Sequence, residues 1–163
     1  MSQVLFIADL HIGHRNILKY RTDFKSIEEH DNTIIENWNS VVKKKNQIVW
    51  VLGDFLIKNN KYDMCKILKK LNGTIRIISG NHDNIDYYPR EMIWKGLEKK
   101  YGFWLSHAPI HPDELRGSKN IYGHVHNKII KDDRYINVCV ENVNYTPITL
   151  EKIREISDKN ENK

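Results

Sequence analysis

Short apolar runs divide the first half of the chain into regular segments. Three of them lie in QVLFIA (residues 3–8), QIVWVLGD (47–54) and TIRIISGNHD (74–83). Runs of this length, bounded by polar residues, predict strands rather than helices. The continuous apolar character of the second run is typical of a strand whose two faces are both covered.

Two amphipathic segments separate these predicted strands. Ser26, followed three residues later by Glu29, forms a capping box, and apolar residues at roughly helical spacing continue to about Lys44. Residues 61–73 (KYDMCKILKKLNG) predict a second amphipathic helix that ends at its Asn-Gly pair. The resulting β-α-β-α-β order predicts parallel strands joined by crossover helices.

The second half of the chain has a different pattern, in which short apolar runs alternate with turn residues. We predict strands in GFWLSHAP (102–109), NIYGHVHN (120–127), KIIKDDRYINVCV (128–140) and TPITLEKI (146–153). Residues 131–134 have the composition of a hairpin turn. We expect residues 1–155 to form a single α/β domain, and the polar residues 156–163 to fray as a C-terminal tail.

Composition places the chain among ordinary globular proteins. Its 163 residues fit one domain, with 40% hydrophobic and 29% charged residues. No stretch is apolar enough to span a membrane, and the N-terminus lacks the features of a signal peptide. Cys65 and Cys139 are isolated, which favours reduced thiols with a packing role and a cytoplasmic location. The net charge of +5 is mild. The basic residues are not interleaved with aromatic residues, as they typically are in nucleic-acid-binding proteins.

Five of the predicted strands end in polar side chains of a similar kind. The sequences at these ends are Asp9-Leu10-His11, Gly53-Asp54, Gly80-Asn81-His82-Asp83, Ser106-His107 and Gly123-His124-Val125-His126. Each of them alone has an ordinary structural explanation, such as a solvated strand end or a turn. The carboxyl ends of parallel strands, however, form the crevice in which open α/β sheets bind ligands. Their joint occurrence after apolar runs therefore favours one common site.

The donor atoms of this set fit a metal site. Two aspartates, one asparagine and four histidines suit Mn²⁺, iron, Zn²⁺ or Ni²⁺ better than Mg²⁺ or Ca²⁺. Seven ligands are too many for one ion and fit two ions that share a carboxylate. The spacing Asp9-x-His11 places both side chains on one side of an extended segment, so both can reach one ion. The spacing His124-x-His126 does the same.

The order of these motifs resembles that of the calcineurin-like metallophosphoesterase superfamily, over residues 4–127. The resemblance implies an α/β fold, a four-layer-type β-sandwich of two mixed sheets flanked by helices, with a dinuclear metal site at the carboxyl ends of the strands. It implies that one metal is held by Asp9, His11 and His126, that the other is held by Asn81, His107 and His124, and that Asp54 bridges them. It also implies hydrolysis of phosphate esters by a bridging hydroxide, with Mn²⁺ as the favoured ion.

The resemblance further assigns residues around the substrate. His82 is expected to assist the leaving group as a catalytic residue. We expect Asp83 to be the second catalytic residue, and either Asp83 or a backbone group to be the hydrogen-bond partner of His82. The stretch DLHIGHRNILKY (9–20) resembles a subgroup with a polar cluster beside the metals. The candidate substrate-binding residues are His14, Arg15, Asn16 and Asn81. His14 has the alternative role of ordering its loop. We expect His111 on the substrate rim and His30 on the protein surface.

One departure from the superfamily narrows the substrate class. The Ser/Thr protein phosphatases of the superfamily carry the motif Gly-Asn-His-Glu and an arginine shortly after Gly-Asp. In this chain Asp83 takes the place of the glutamate, and no such arginine is present. The pattern resembles small bacterial and phage phosphodiesterases and phosphatases. Residues 87–100 and 112–119 are the sizeable inserts, so we expect an open site and a nucleotide or small organophosphate substrate. The alternatives are a nuclease acting on DNA or RNA ends and a non-catalytic metal-binding protein.

Overall fold

A computed structural model describes residues 2–57, 61–93 and 96–161 of the chain. The described residues contain eight strands, in chain order β1 (Val4–Ile7), β2 (Ile48–Leu52), β3 (Thr74–Ile78), β4 (Leu97–Lys100), β5 (Phe103–Ser106), β6 (Lys119–Tyr122), β7 (Tyr135–Asn137) and β8 (Ile148–Thr149). They also contain three α-helices, α1 (Ile27–Val41), α2 (Lys61–Leu68) and α3 (Leu150–Glu161). Within this part of the chain no helix combines the length and the apolar character needed to cross a membrane.

The first sheet has the strand order β3-β2-β1-β8. Strands β1, β2 and β3 are parallel, as the β-α-β-α-β pattern predicts, with Phe6 opposite Trp50 and Trp50 opposite Arg76. Strand β8 pairs antiparallel with β1, which makes the sheet mixed. The carboxyl ends of β1, β2 and β3 therefore lie at one edge.

The second sheet has the order β4-β5-β6-β7 and is also mixed. Strands β5, β6 and β7 are parallel, whereas β4 runs antiparallel to β5. Strand β4 belongs to the segment 87–100, which we expected to be an insert; it is instead an edge strand of this sheet. The two mixed sheets with flanking helices confirm the predicted fold class.

The hairpin turn predicted at residues 131–134 is wrong. Strands β6 and β7 are parallel, so a tight turn cannot join them. Residues 129 and 130 lie outside any strand, and Asp132 shapes the entry to β7 by accepting hydrogen bonds from the backbone N–H and side chain of Arg134. Turn-forming composition predicts that a strand is interrupted at these residues, but it does not reveal the direction of the strands on either side.

Helix boundaries show where local signals hold and where they fail. The Ser26 Oγ accepts the N–H of Glu29 at 3.0 Å, as the capping box predicts. Helix α1 ends at Val41, before the expected Lys44, because the Gln47 Oε1 accepts the N–H groups of Lys43 and Lys44. This side chain replaces the carbonyl partners that a longer helix would supply.

The C-terminal segment differs most from expectation. The run 146–153 contains only a two-residue strand, after which helix α3 continues to Glu161. Residues 156–161, part of the segment that we predict to fray, lie within this helix. Ser157 is buried in this helix, and its carbonyl accepts the Lys119 Nζ at 2.8 Å. This contact ties the helix to β6.

The apolar core forms two layers because successive strand residues point to opposite faces of the first sheet. Leu5 and Ile7 of β1 pack in the layer that contains Trp38 of α1 and Met64 of α2. Phe6, on the other face, packs in the layer shared with the second sheet and α3. The first sheet is thus covered on both sides, and polar groups concentrate where its strands end.

Candidate metal centre

The backbone at the strand ends adopts a conformation that is unfavourable for most residues. Asp9, His11, Asp54, His124 and His126 all have positive φ angles, between 51° and 72°. Left-handed backbone at non-glycine residues costs energy and is concentrated at functional sites. This conformation makes the backbone turn sharply at the end of each strand, so that these side chains face one another.

Two glycines allow this close approach. A Cβ added to Gly53 would lie 2.2 Å from the His107 Nδ1, and one added to Gly80 would lie 2.2 Å from the Asp54 Oδ1. Any other residue would displace the histidine or the carboxylate. The glycines therefore leave room for donor side chains to pack against a neighbouring backbone.

Asp9, His11 and His126 form the first group of converging donors. One ligand atom from each of these residues lies within 4.8 Å of the others. The Asp9 Oδ1 and the His11 Nε2 are buried and have no hydrogen-bond partner among the described residues. An unpaired buried polar atom is costly unless something absent from the chain satisfies it. A cation at this point would satisfy both atoms.

Asp54 lies between this group and a second one. Its Oδ2 is 3.6 Å from the His11 Nε2 and 3.5 Å from the His107 Nε2. Its Oδ1 accepts the backbone N–H of His82 at 2.8 Å. Oδ2 thus lies between the two donor groups, and Asp54 could be shared by two ions if both were bound.

Asn81, His107 and His124 form the second group. The Asn81 Oδ1 lies 3.0 Å from the His107 Nε2 and 3.1 Å from the His124 Nδ1. The His107 Nδ1 faces the Leu52 carbonyl at 2.9 Å, so that nitrogen carries the proton and Nε2 presents a lone pair. Two acceptors, the amide oxygen and Nε2, then face each other. The His124 Nδ1 lies 3.1 Å from each of them, and a cation held by these three atoms would have three converging donors.

Burial and hydrogen bonding shift the pKa values of the residues in the first group. Desolvation raises the pKa of Asp9 above its usual value, and it is the main cause that lowers the pKa of His11 to about 2. The hydrogen bond to Glu141 raises the pKa of His126. His11 is therefore neutral across the physiological range, which is the form that binds metal.

The residues expected to be catalytic have different surroundings. His82 is exposed, and its ring lies 5.3 Å from that of His11 and 5.8 Å from that of His14, between centroids. The Asp83 carboxylate is engaged elsewhere. It accepts hydrogen bonds from the N–H groups of Asp54, Phe55 and Gly80 and from the Tyr88 hydroxyl.

Asp83 thus joins the loop after β2 to the loop after β3. In the described part of the chain its four hydrogen bonds go to backbone and to Tyr88, not to the His82 ring. The geometry points to a positioning role for Asp83, which holds the loops that carry Asp54 and Asn81. This differs from the expected role of orienting the His82 ring.

A cleft of about 780 Å³ opens above the two groups. His14, Asn16 and His82 line it, together with Lys19, Tyr20 and Lys128. The His14 Nδ1 lies 3.2 Å from the Nδ1 of His11, and burial lowers the pKa of His14. His14 is therefore both part of the cleft wall and a hydrogen-bond partner of a metal-ligand candidate.

Three expectations about peripheral residues have different outcomes. Arg15 is exposed and is not among the described residues that line the cleft. His111 is also outside that lining, and its Nδ1 accepts the N–H of Asp113. The expectation of a surface position for His30 is wrong, since its side chain is completely buried and its Nε2 lies 2.8 Å from the Arg21 Nη1. A histidine can replace an apolar residue on the inner face of α1 because Arg21 supplies a hydrogen-bond partner.

Three further residues at the centre were missed. The Cys139 thiol, expected only to pack, donates to the Asp9 Oδ2 at 3.2 Å. Glu141 contacts the His126 Nδ1 at 3.0 Å, and Arg21 contacts Glu141 at 2.8 Å. Glu141 directly follows the apolar run Val138-Cys139-Val140, so the signal that found the other strand ends was present. Arg21 carries no such signal, because it lies in a polar loop.

Comparisons with known proteins agree with this geometry. The family model for calcineurin-like phosphoesterases matches residues 2–162. The uncharacterized protein MJ1445 of Methanocaldococcus jannaschii is 36% identical over 169 residues, which cover 98% of this chain and 93% of that protein. The gene 66 protein of Mycobacterium phage L5 is 39% identical over 85 residues, covering 51% of this chain and 41% of the phage protein.

A solved structure shares the fold. The protein of unknown function AQ665 from Aquifex aeolicus superimposes with a TM-score of 0.75 and 26% identity, over 96% of this chain and 100% of that one. The match of the family model over nearly the whole sequence is decisive for classification. On this basis, the chain belongs to the calcineurin-like phosphoesterase family.

Proposed function

We propose that the protein hydrolyses phosphate esters with two divalent metal ions, acting as a phosphodiesterase or phosphatase on nucleotides or small organophosphates. The observation that carries this proposal is the pair of buried, unpartnered ligand atoms, the Asp9 Oδ1 and the His11 Nε2. They lie beside a carboxylate oxygen of Asp54 that faces both donor groups. Family membership implies the same class of reaction.

The charge balance of the site favours an anionic substrate. Two divalent ions would bring four positive charges, and Asp9 and Asp54 would return two negative ones. A surplus of about two positive charges attracts phosphate. When bound, a pair of such ions would bind phosphoryl oxygens and lower the pKa of a water molecule toward about 7. Mn²⁺ is our first choice, with iron, Zn²⁺ and Ni²⁺ as alternatives, because the donors combine carboxylate and imidazole.

The chain's own residues would then hold the ions and move protons. Asp9, His11 and His126 would hold one ion, Asn81, His107 and His124 the other, and Asp54 both. His82 is exposed in the cleft and would protonate the leaving oxygen as a general acid. His14 and Asn16 line the same cleft and would donate hydrogen bonds to the phosphoryl group, and the Asn81 amide would add another.

The cleft wall supports a nucleotide-like substrate. Tyr20 is 84% exposed, which is unusual for a large aromatic side chain, and it lines the cleft with Lys19 and Lys128. An exposed ring can stack on a nucleobase, and each such contact is worth about 1–3 kcal/mol. The two lysines would face the remaining phosphate charge. Tyr20→Ala should raise KM for nucleotide esters about tenfold or more, with little change for p-nitrophenyl phosphate.

The same basic rim favours a nuclease as the second candidate. Lys19 and Lys128 lie beside the cleft, and the chain has a net charge of +5. Binding of a nucleic-acid end would weaken steeply with salt because counterions are released. A substrate affinity that falls strongly between low and moderate salt for an oligonucleotide, but not for a mononucleotide, would favour this candidate.

A substrate panel tests the proposal. Purified protein with added Mn²⁺ is assayed on bis-p-nitrophenyl phosphate, p-nitrophenyl phosphate, 2′,3′- and 3′,5′-cyclic nucleotides and a short oligonucleotide. We expect hydrolysis of a diester or nucleotide that disappears with EDTA and in Asp54→Asn. A protein that binds two metal ions but cleaves none of these compounds would instead be a non-catalytic metal-binding protein.

A further inference from the structure

Arg21 is a buried cation at the back of the candidate metal centre. Its side chain is 1% exposed, although it lies in a polar loop. Its guanidinium makes four hydrogen bonds, and its Nη2 also lies 2.8 Å from the Glu141 Oε1 as an ion pair. The acceptors are the carbonyls of Asp9 and Leu10, the Nε2 of His30 and the Oε1 of Glu141.

The contacts of Arg21 reach the strand end that carries the first donor group. Its Nη2 donates to the Asp9 carbonyl at 2.6 Å and its Nη1 to the Leu10 carbonyl at 2.9 Å. Asp9 and His11 on either side have positive φ angles of 57° and 51°. These hydrogen bonds hold the left-handed backbone that aims both side chains inward.

Glu141 connects the same arginine to a third ligand candidate. Its Oε1 lies 2.9 Å from the Arg21 Nε and 3.0 Å from the His126 Nδ1. A carboxylate on one ring nitrogen sets the tautomer, so the His126 Nε2 presents its lone pair to the centre. The ring orientation of His126 therefore depends on Glu141, and that of Glu141 on Arg21.

We propose that Arg21 and Glu141 form a positioning pair for one of the two metals, the ion held by Asp9, His11 and His126. This inference rests on the two-metal assignment of the proposed function. Among the seven proposed ligands, the described contacts of the pair reach Asp9 and His126. Asn81, His107 and His124 are contacted by other groups, such as the Leu52 carbonyl at His107. Loss of the pair should weaken one ion selectively.

Glu141→Gln is the first test because an amide oxygen can still accept from His126 and from Arg21. We expect the variant to fold and to bind one Mn²⁺ with unchanged affinity. The affinity for the second Mn²⁺ should fall about 10–100-fold, the usual effect of removing a carboxylate behind a metal-bound histidine. Isothermal titration with Mn²⁺ measures both affinities, and thermal unfolding in EDTA checks that the metal-free fold is retained.

A background variant assigns the lost ion. His124→Ala removes a donor of the other group and should leave one tight ion. Adding Glu141→Gln to it should then weaken that remaining ion as well. The EPR spectrum of bound Mn²⁺ gives an independent readout, since wild type should show spin-coupled ions and Glu141→Gln an isolated one. Glu155→Gln, which neutralises an exposed carboxylate on α3, is the matched control and should bind two ions like wild type.

Two results would overturn the inference while leaving the proposed function intact. One is Glu141→Gln binding two ions with wild-type affinities, and the other is an equal loss of both. Glu141→Ala, which also removes the partner of buried Arg21, is expected to be less stable and is used only if it folds. Wild-type protein that binds fewer than two ions would instead overturn the proposed function and the premise of the pair.

Discussion

At the scale of single residues, the centre combines buried ligand atoms with a more exposed catalytic candidate. Asp9 and His11 are almost fully buried, whereas His82 stands exposed in the cleft. Buried residues such as Asp9 and His11, the first kind, should control both metal binding and stability. The exposed His82, of the second kind, should control turnover alone.

His82→Ala tests the second kind. Its ring is not one of the seven proposed ligands, so the variant should bind two ions with unchanged affinity. Turnover should fall about 10²–10⁴-fold, the usual contribution of a positioned acid. The loss should be smaller for p-nitrophenyl esters, whose leaving group needs little protonation. Equal loss for good and poor leaving groups would argue against a role as general acid.

Asp9→Asn tests the first kind. Burial raises the pKa of Asp9 above the ordinary value of 3.8 for an aspartate, so the metal-free folded state binds this proton more tightly than the unfolded state does. Metal-free stability from this group is therefore present below pH 3.8 and is lost as pH rises through the raised pKa. At pH 7–8 in EDTA, the variant should unfold at higher urea than wild type.

When metal is present, wild type should be more stable to urea than Asp9→Asn. Wild type gains stability from bound Mn²⁺, whereas Asp9→Asn lacks a charged ligand and should gain little. Urea unfolding curves in EDTA and in excess Mn²⁺ measure both effects. If the variant were less stable than wild type in EDTA, the Asp9 carboxylate would be satisfied by the protein alone.

At the scale of elements, the loops after β2 and β3 behave as one unit. Asp83 accepts N–H groups from both loops, and the Tyr88 hydroxyl donates to Asp83 while accepting the Leu56 N–H at 3.0 Å. Burial is the main cause that raises the pKa of Tyr88, so this hydroxyl keeps its proton. These contacts fix the position of Asp54 relative to Asn81.

Tyr88→Phe should loosen this unit. The variant leaves the buried Leu56 N–H without its acceptor and removes one donor from Asp83. An unsatisfied buried group costs about 1–3 kcal/mol of stability. Urea unfolding in EDTA measures the cost, and Tyr20→Phe, which removes a hydroxyl from an exposed ring, is the matched control. An unchanged midpoint would mean that other groups replace the hydroxyl.

At the scale of the whole molecule, metal binding and folding are linked. The proposed ligands come from five separate strand ends, between Asp9 and His126 in sequence. They meet only when both sheets have formed, so ions that bind the native state stabilise it by mass action. At a free ion concentration of about 100 Kd, the gain is about 2.7 kcal/mol for each site.

Metal removal should therefore lower the unfolding temperature. We expect wild type in EDTA to unfold several degrees below wild type in Mn²⁺, with recovery when the metal is restored. Asp54→Asn should show little of this difference because the shared carboxylate is lost. Thermal unfolding followed by circular dichroism at matched ionic strength measures the shift. An unchanged unfolding temperature in wild type would contradict tight binding to the native state.

Local patterns in the sequence were sufficient to predict the parallel core and to select candidate residues that the fold brings together. Apolar runs predict β1 to β3, and the capping box at Ser26 predicts the start of α1, because these signals act over a few residues. Polar residues directly after apolar runs identified Asp9, Asp54, Asn81 and His124 as neighbours in space. Parallel strands place such ends together whatever their separation in the chain.

Only the tertiary structure decided how the remaining parts are arranged. The parallel direction of β6 and β7 depends on packing between distant segments, which composition does not encode. The burial of Arg21 and His30, and the contacts of Glu141 and Cys139 behind the ligands, also depend on segments far apart in the chain. Sequence thus selected the candidate donors, because the chemistry of a side chain is local. Their orientation and burial were decided by the fold, because both depend on groups that meet only in three dimensions.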